Sequence, residues 1–353
     1  MSISKPFSVD SLEARGNTII QGNVISSDNR KVINFLRKRN KGLMIPLYIY
    51  PNFSGDDNEN GTPNREDPEW FLNRVVNTLK KHNGLQHIVI LNPGNGPGTV
   101  VDGNYTQAIR WLKGADVTVV GYVSTAYSPW FGTPEIETME TVKANVLKWQ
   151  ELYPEIDGIF YDEYPWDTES DTAKLALDYY VELTDFAHSR GFFPVIGNPG
   201  GQQQTNEYFV RNAADILMIY ENDGQTLPPT KDLIEGLALF NRTNFESPSS
   251  RKASVVYNNP TLNKDHLEVM LSYSDYIYMT DDVFSPNPFD DFCTYFEELV
   301  EEVFKFGVMG GGGGASTSTG DEFPGSPSLG EEIWRTDLSS FFKWNGEVWI
   351  EIG

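Results

Sequence analysis

The stretch GIFYDEYPWD, Gly158 to Asp167, carries an apolar run straight into two adjacent carboxylates, Asp162 and Glu163, and then into aromatics. A similar run, DILMIYE, ends on Glu221. Hydrolysis of a glycosidic bond needs two such groups, one to protonate the leaving oxygen and one to act as nucleophile or base. Other apolar runs end on amides, aromatics and a further acid. They supply Tyr48 and Tyr50 in PLYIYP, Asn92 in NPGNGPG, Thr125 and Tyr127 in VSTAYSPWF, Asn198 in GNPG, Asn258 in YNNP and Asp281 in MTDD. Amides and carboxylates bond sugar hydroxyls in pairs, and aromatic faces stack on the C–H faces of a sugar ring. Taken singly, a strand-end Asp or Glu reads equally well as a cap for the helix that follows. As a set around one mouth, these residues point to a polysaccharide, with Asp162, Glu163 and Glu221 as the catalytic candidates and the others as substrate-binding ones.

Something has to bring those run ends together. Between residues 41 and 307 eight short runs rich in Val, Ile and Tyr alternate with helix-length amphipathic segments. The runs are Leu43–Tyr50, His87–Asn92, Val117–Val123, Ile156–Asp162, Phe192–Asn198, Asp215–Glu221, Lys252–Asn258 and Asp275–Asp281. Runs that are apolar throughout fit strands buried on both faces. Eight strand–helix units over roughly 265 residues is the rhythm of a (β/α)8 TIM barrel, whose active site lies at the C-terminal ends of its strands. A doubly wound open sheet is the competing architecture. Residues 1–40 lack this rhythm and read as an N-terminal extension. Residues 308–328 read as a Gly/Ser linker. Residues 329–353 read as a small C-terminal β module, with Asn345–Gly346 at a hairpin turn.

The charge balance removes several functions. Asp plus Glu outnumber Lys plus Arg by 50 to 27, and the formal net charge is −23. Such a field repels nucleic-acid phosphates and anionic membrane surfaces. No apolar stretch is long enough to span a bilayer, and the N-terminus lacks a signal-peptide pattern, so neither membrane insertion nor classical secretion is expected. The lone Cys293 reads as a small core residue and permits no intrachain disulfide. The four histidines have no zinc spacing, NPGNGPGT lacks the Lys of a phosphate-cradling loop, and no nucleophile-elbow motif occurs. No cofactor is therefore expected to be required. A structural calcium ion is the one addition the spacing suggests. In DDNENGTPNRED, Asp56, Asn58, Asn60 and Asp67 stand at calcium-loop positions, although Asp replaces the final Glu and no helix precedes the loop. A solvated polar loop is the alternative.

The motifs IPLYIYPN, VILNPGNGPG, GIFYDE, GNPG and ADILMIYE, in this order across residues 43–282, resemble the spherulin-4 family, glycoside hydrolase family 135. The resemblance implies a (β/α)8 endo-acting enzyme that cleaves α-1,4-linked N-acetylgalactosamine in exopolysaccharides, with its acids at Asp162, Glu163 and Glu221. The stretch STAYSPWFG departs from the family pattern, which more often has Gly after the Tyr. The flanks FSVDSLEARGNTIIQGNVI and IWRTDLSSFFKWNGEVWIEIG are similar to segments of phage fibres and tail proteins. That similarity implies a virion-borne depolymerase with other virion proteins as partners, homo-oligomeric, and acting on the host surface. A non-catalytic glycan receptor or a structural virion protein on the same barrel is the other reading.

Overall fold

The computed structural model describes residues 17–20, 23–26, 41–51, 70–128, 138–165, 171–200, 208, 211–233, 251–309, 317–320, 332–335, 340–344 and 349–351. Near the N-terminus, β1 (Asn17–Ile20) and β2 (Asn23–Ser26) pair antiparallel. Eight strands then close into a barrel. They are β3 (Gly42–Leu47), β4 (Ile88–Leu91), β5 (Thr118–Ser124), β6 (Gly158–Asp162), β7 (Val195–Gly197), β8 (Ile216–Asp223), β9 (Arg251–Tyr257) and β10 (Tyr276–Met279). Each pairs parallel with its sequence neighbours, and β10 closes on β3. This is the (β/α)8 barrel that the alternating runs imply.

All eight runs became strands, mostly shorter than their apolar stretches. The run from Phe192 loses its first residues because Pro194 has no N–H to give a ladder. Its carbonyl still accepts from Ile159 N at 3.1 Å.

Helices cover the barrel where the sequence supplies both an apolar stripe and a start signal. Gly103–Gly114 begins after Asp102, whose side chain accepts from Asn104 N, and Met139–Leu152 begins after Thr138, which accepts from Thr141 N. Phe296–Met309 buries Phe296, Leu299, Val300 and Val303, a stripe at helical spacing. Cys293, just before it, is buried in the core, and burial pushes its thiol up out of the reactive range.

Beyond the barrel, β11 (Thr317–Gly320), β12 (Glu332–Arg335), β13 (Ser340–Trp344) and β14 (Trp349–Glu351) form a second sheet. Part of the segment expected as linker is thus a strand, since β11 pairs parallel with β12. The turn expected at Asn345–Gly346 lies outside the described residues, between strands that pair antiparallel with Trp344 opposite Trp349. Among the described residues no helix is long and apolar enough to cross a membrane.

Candidate active site

At the C-terminal ends of the strands lies a cavity of about 620 Å³, lined by Asp162, Glu163, Glu221, Asn198, aromatics and prolines. On an ideal strand, side chains at even spacing share a face. Phe160 and Asp162 on β6 obey this and both line the cavity, as do Pro46 and Tyr48 at the end of β3. Met218 and Glu221 on β8 do not, being three apart, yet both line it. A register shift between Met218 and Tyr220 supplies the extra residue that turns Glu221 inward.

Glu163 also breaks the alternation. Its φ is +64°, a left-handed conformation that costs a non-glycine residue about 1–2 kcal/mol. The kink swings Glu163 to the same cavity as its neighbour. Thr125 holds it from behind, its hydroxyl donating to the carbonyls of Asp162 (2.6 Å) and Glu163 (3.0 Å) and lying 2.8 Å from the Tyr180 hydroxyl. Tyr180 in turn stacks on Tyr164 at 3.6 Å between centroids. Tyr164 packs against Gly197, where any Cβ would come within 2.6 Å of its ring. A glycine is required there for that close approach.

The carboxylates are wired unequally. Asn198 Nδ2 lies 2.8 Å from Asp162 Oδ1 and 2.6 Å from Glu221 Oε2, so one buried amide reaches both acids. Asp162 also accepts from Glu163 N at 2.9 Å and from the Tyr122 hydroxyl. Glu163 accepts from the Ser124 hydroxyl at 2.5 Å and from Ala126 N at 3.2 Å. Asp162 and Glu221 each keep an edge open to the cavity, but protein closes around them and desolvation raises both pKa values above the ordinary carboxylate range. The negative charge of Asp162 raises Glu221 further, and the Asn198 amide opposes that rise only in part. Three donors hold Asp162 and one holds Glu221, so Glu221 is the acid that keeps its proton to higher pH.

Tyr48 and Tyr127 line the cavity with these groups. The remaining expected sugar ligands do not, because other partners claim them. Thr125 is fully buried under Glu163. Asn92 accepts from Gly96 N at 2.9 Å and shapes its own turn, which presents Asn95 to the cavity instead. Asn258 donates to both oxygens of Asp223, at 3.1 and 3.0 Å. Asp281 accepts from Thr294 N (2.9 Å) and its hydroxyl (2.6 Å). Tyr50 bonds Asp102 Oδ2 at 3.0 Å on the outer surface. Tyr122, Ser124, Asn222, Tyr257, Phe284, Asn287 and Phe289 are site or supporting residues that strand-end reading missed. Tyr122 and Ser124 lie inside β5, and three of the others lie in the loop past β10.

The calcium-type loop with Asp56, Asn58, Asn60 and Asp67 lies outside the described residues. Among the described residues no group of three or more His, Cys, Asp and Glu could hold a metal ion.

Fold and site together define a (β/α)8 barrel with paired, desolvated carboxylates at its C-terminal mouth. The chain belongs to the spherulation-specific family 4, whose model matches residues 42–303. Spherulin-4 from Physarum polycephalum is 28% identical over 187 residues, which is 52% of this chain and 46% of that protein. The match thus spans less than half the length of that relative. Among solved structures, a glycoside hydrolase family 5 lichenase from a Caldicellulosiruptor species aligns at 11% identity over 78% of this chain and 94% of its own, with a TM-score of 0.48. An endo-β-N-acetylglucosaminidase from Cordyceps militaris aligns at 10% identity over 82% and 98%, with a TM-score of 0.45.

Proposed function

We propose that this chain is an endo-acting, retaining glycoside hydrolase that depolymerises an exopolysaccharide containing α-1,4-linked N-acetylgalactosamine. The observation that carries the reading is the shared amide. Both acids bond one Asn198 nitrogen, so their nearest oxygens are no further apart than about 5.4 Å, a close approach that favours the close-set carboxyls of a retaining enzyme over the wider-set pair of an inverting one. In this reading Glu221, protonated, gives its proton to the leaving oxygen. Asp162, ionised and held by Tyr122, Asn198 and the Glu163 N–H, attacks the anomeric carbon and forms the glycosyl-enzyme. Glu221 then takes a proton from water, which displaces Asp162 with a second inversion. Glu163, fixed by Ser124 and Ala126, bonds the sugar hydroxyls or acetamide.

Family membership and the motif resemblance support the sugar and the linkage. The sheet-forming flanks on either side of the barrel support, more loosely, attachment to a virion and assembly with its other proteins.

Purified chain incubated with the galactosamine-rich exopolysaccharide should release reducing ends, with early products of retained anomeric configuration by proton NMR. Inverted products would overturn the assignment of Asp162 as nucleophile. Binding of the polymer with no reducing ends at any pH would mean a glycan receptor rather than an enzyme.

A further inference from the structure

Phe284 is 68% exposed, the most solvent-open large aromatic among the described residues, yet it stands on the cavity wall. Single exposed apolar residues need no explanation. This one continues a line of rings. Tyr122, which bonds Asp162, meets Tyr48 edge-on at 5.6 Å, and Tyr48 meets Phe289 at 5.9 Å. Phe289 meets Tyr257 at 6.4 Å, and Tyr257 lies 6.0 Å from Phe284 at a shallow 38°. The line thus runs from the carboxylate pair out to solvent.

The last two rings are not edge-on, as the inner ones are, but lie closer to parallel. The loop that carries Phe284 is also braced. Asp282 spans it, accepting from Val283 N at 2.7 Å and from Asp291 N at 2.9 Å, while Asn258 N donates to the Asp282 carbonyl at 2.6 Å. Inside the loop, Asn287 Oδ1 accepts from Phe289 N at 2.9 Å. A ring held out in water on a stiffened loop pays little conformational entropy when a ligand covers it.

We infer that Phe284 and Tyr257 form an outer subsite that stacks one pyranose ring of the polymer beyond the bond being cut. The inference rests on the glycosidase reading and deepens it. A galacto-configured sugar has its axial O4 on one side, and on the other the C–H groups of C3, C4 and C5 form a patch beside the axial α-linkage oxygen, a shape an aromatic face accepts. Asn287 and Asn222 line the same cavity and would offer amides to the hydroxyl edge of the sugar. The enzyme should therefore hold longer chains better than short ones.

The test is calorimetric titration of the full chain carrying Glu221→Gln with α-1,4-N-acetylgalactosamine oligosaccharides of increasing length. Phe284→Ala added to this background should weaken the longer oligosaccharides about ten-fold, the scale of one aromatic contact. The shortest should bind as before, and Phe284→Trp should restore the length dependence. If Phe284→Ala binds every length as its parent does, the outer subsite is wrong. If the parent binds no oligosaccharide of any length, the subsite and the glycosidase reading fall together. If length-dependent binding is lost with Phe284→Ala but the wild type leaves the same oligosaccharides uncut, the subsite stands and the hydrolytic reading fails.

Discussion

Carboxylates stand at both ends of this barrel, and the two ends treat them in opposite ways. At the N-terminal floor Asp157 and Asp215 are buried, each with a basic partner and a backbone donor. Asp157 takes the Lys113 ammonium and Val119 N. Asp215 Oδ2 takes His188 Nε2 at 2.8 Å and Val195 N at 2.7 Å. Burial alone would lower His188, but Asp215 overrides it and holds the ring protonated to higher pH. At the C-terminal mouth Asp162 and Glu221 face each other across one neutral amide, and among the described residues neither makes a salt bridge. The floor uses buried charge to tie helices to strands. The mouth keeps its charges uncompensated, which raises their pKa values and leaves protons to move.

That contrast can be broken most directly at the mouth. Glu221→Gln and Asp162→Asn should each cut turnover by about 10²–10⁴-fold while the fold persists, because in the proposed mechanism each removes a proton carrier or nucleophile while the isosteric amide keeps an oxygen for the neighbouring donors. Measurement of kcat alongside the melting temperature checks both halves. A variant that retains near wild-type turnover would remove its acid from the mechanism.

The floor should answer in the other currency. Asp215→Asn strands a buried imidazolium and should cost about 3–5 kcal/mol in denaturant unfolding, with the folded fraction still active. The pH dependence separates the two ends. Asp162 and Glu221 have raised folded pKa values, so their share of stability is complete below the unfolded value of about 4 and is lost as pH rises through the raised ones. The raised His188 value acts in the same direction but in a later window, above about 6.5. Asp162→Asn combined with Glu221→Gln should flatten the earlier loss in a melting-temperature series and leave the later one in place. An unaltered series would mean that the mouth carboxylates are not desolvated.

How far the sequence reveals this division is uneven. Eight apolar runs at barrel rhythm locate the strands, because burial on both faces leaves a composition that no loop shares. Polar residues at their ends mark the mouth in outline. What the runs do not show is which way each polar group is spent. Thr125 and Asn258 look like ligands and serve as internal ties, since a hydrogen-bond partner far along the chain leaves no local trace. Glu163 reaches the cavity only through a positive φ, and Glu221 only through a register shift, neither of which alternation predicts. Phe284 and Phe289 lie past the last strand, in a loop whose path depends on Asp282 bridging residues on both sides of it.

Thr125 offers an intermediate test of the same point. Thr125→Val removes the hydroxyl that holds both carbonyls of the Asp162–Glu163 kink and should cost about 1–3 kcal/mol of stability. As a positioning residue it should lower kcat with little change in KM, and Thr125→Ser should restore most of both. A rise in KM alone would return Thr125 to the role of sugar ligand.

The smallest effect is expected at Tyr50, and it marks where the mouth ends. Its ring is 39% exposed and meets Tyr105 edge-on at 5.7 Å. Its hydroxyl donates to Asp102 and accepts from Asn104 Nδ2 at 3.0 Å. Asp102 has a second task, capping the helix that begins at Gly103, and the cap bond from Asn104 N at 2.7 Å does not pass through Tyr50. Tyr50→Phe therefore removes two solvent-facing hydrogen bonds and leaves the cap whole. The loss should be below about 1 kcal/mol, since water can take the hydroxyl's place on Asp102 and Asn104. Because Tyr50 stands off the cavity wall, KM for long oligosaccharides should not move. A several-fold rise in KM would show that the polymer runs past the wall over Tyr50, and the outer subsite at Phe284 would then mark only one end of a longer cleft.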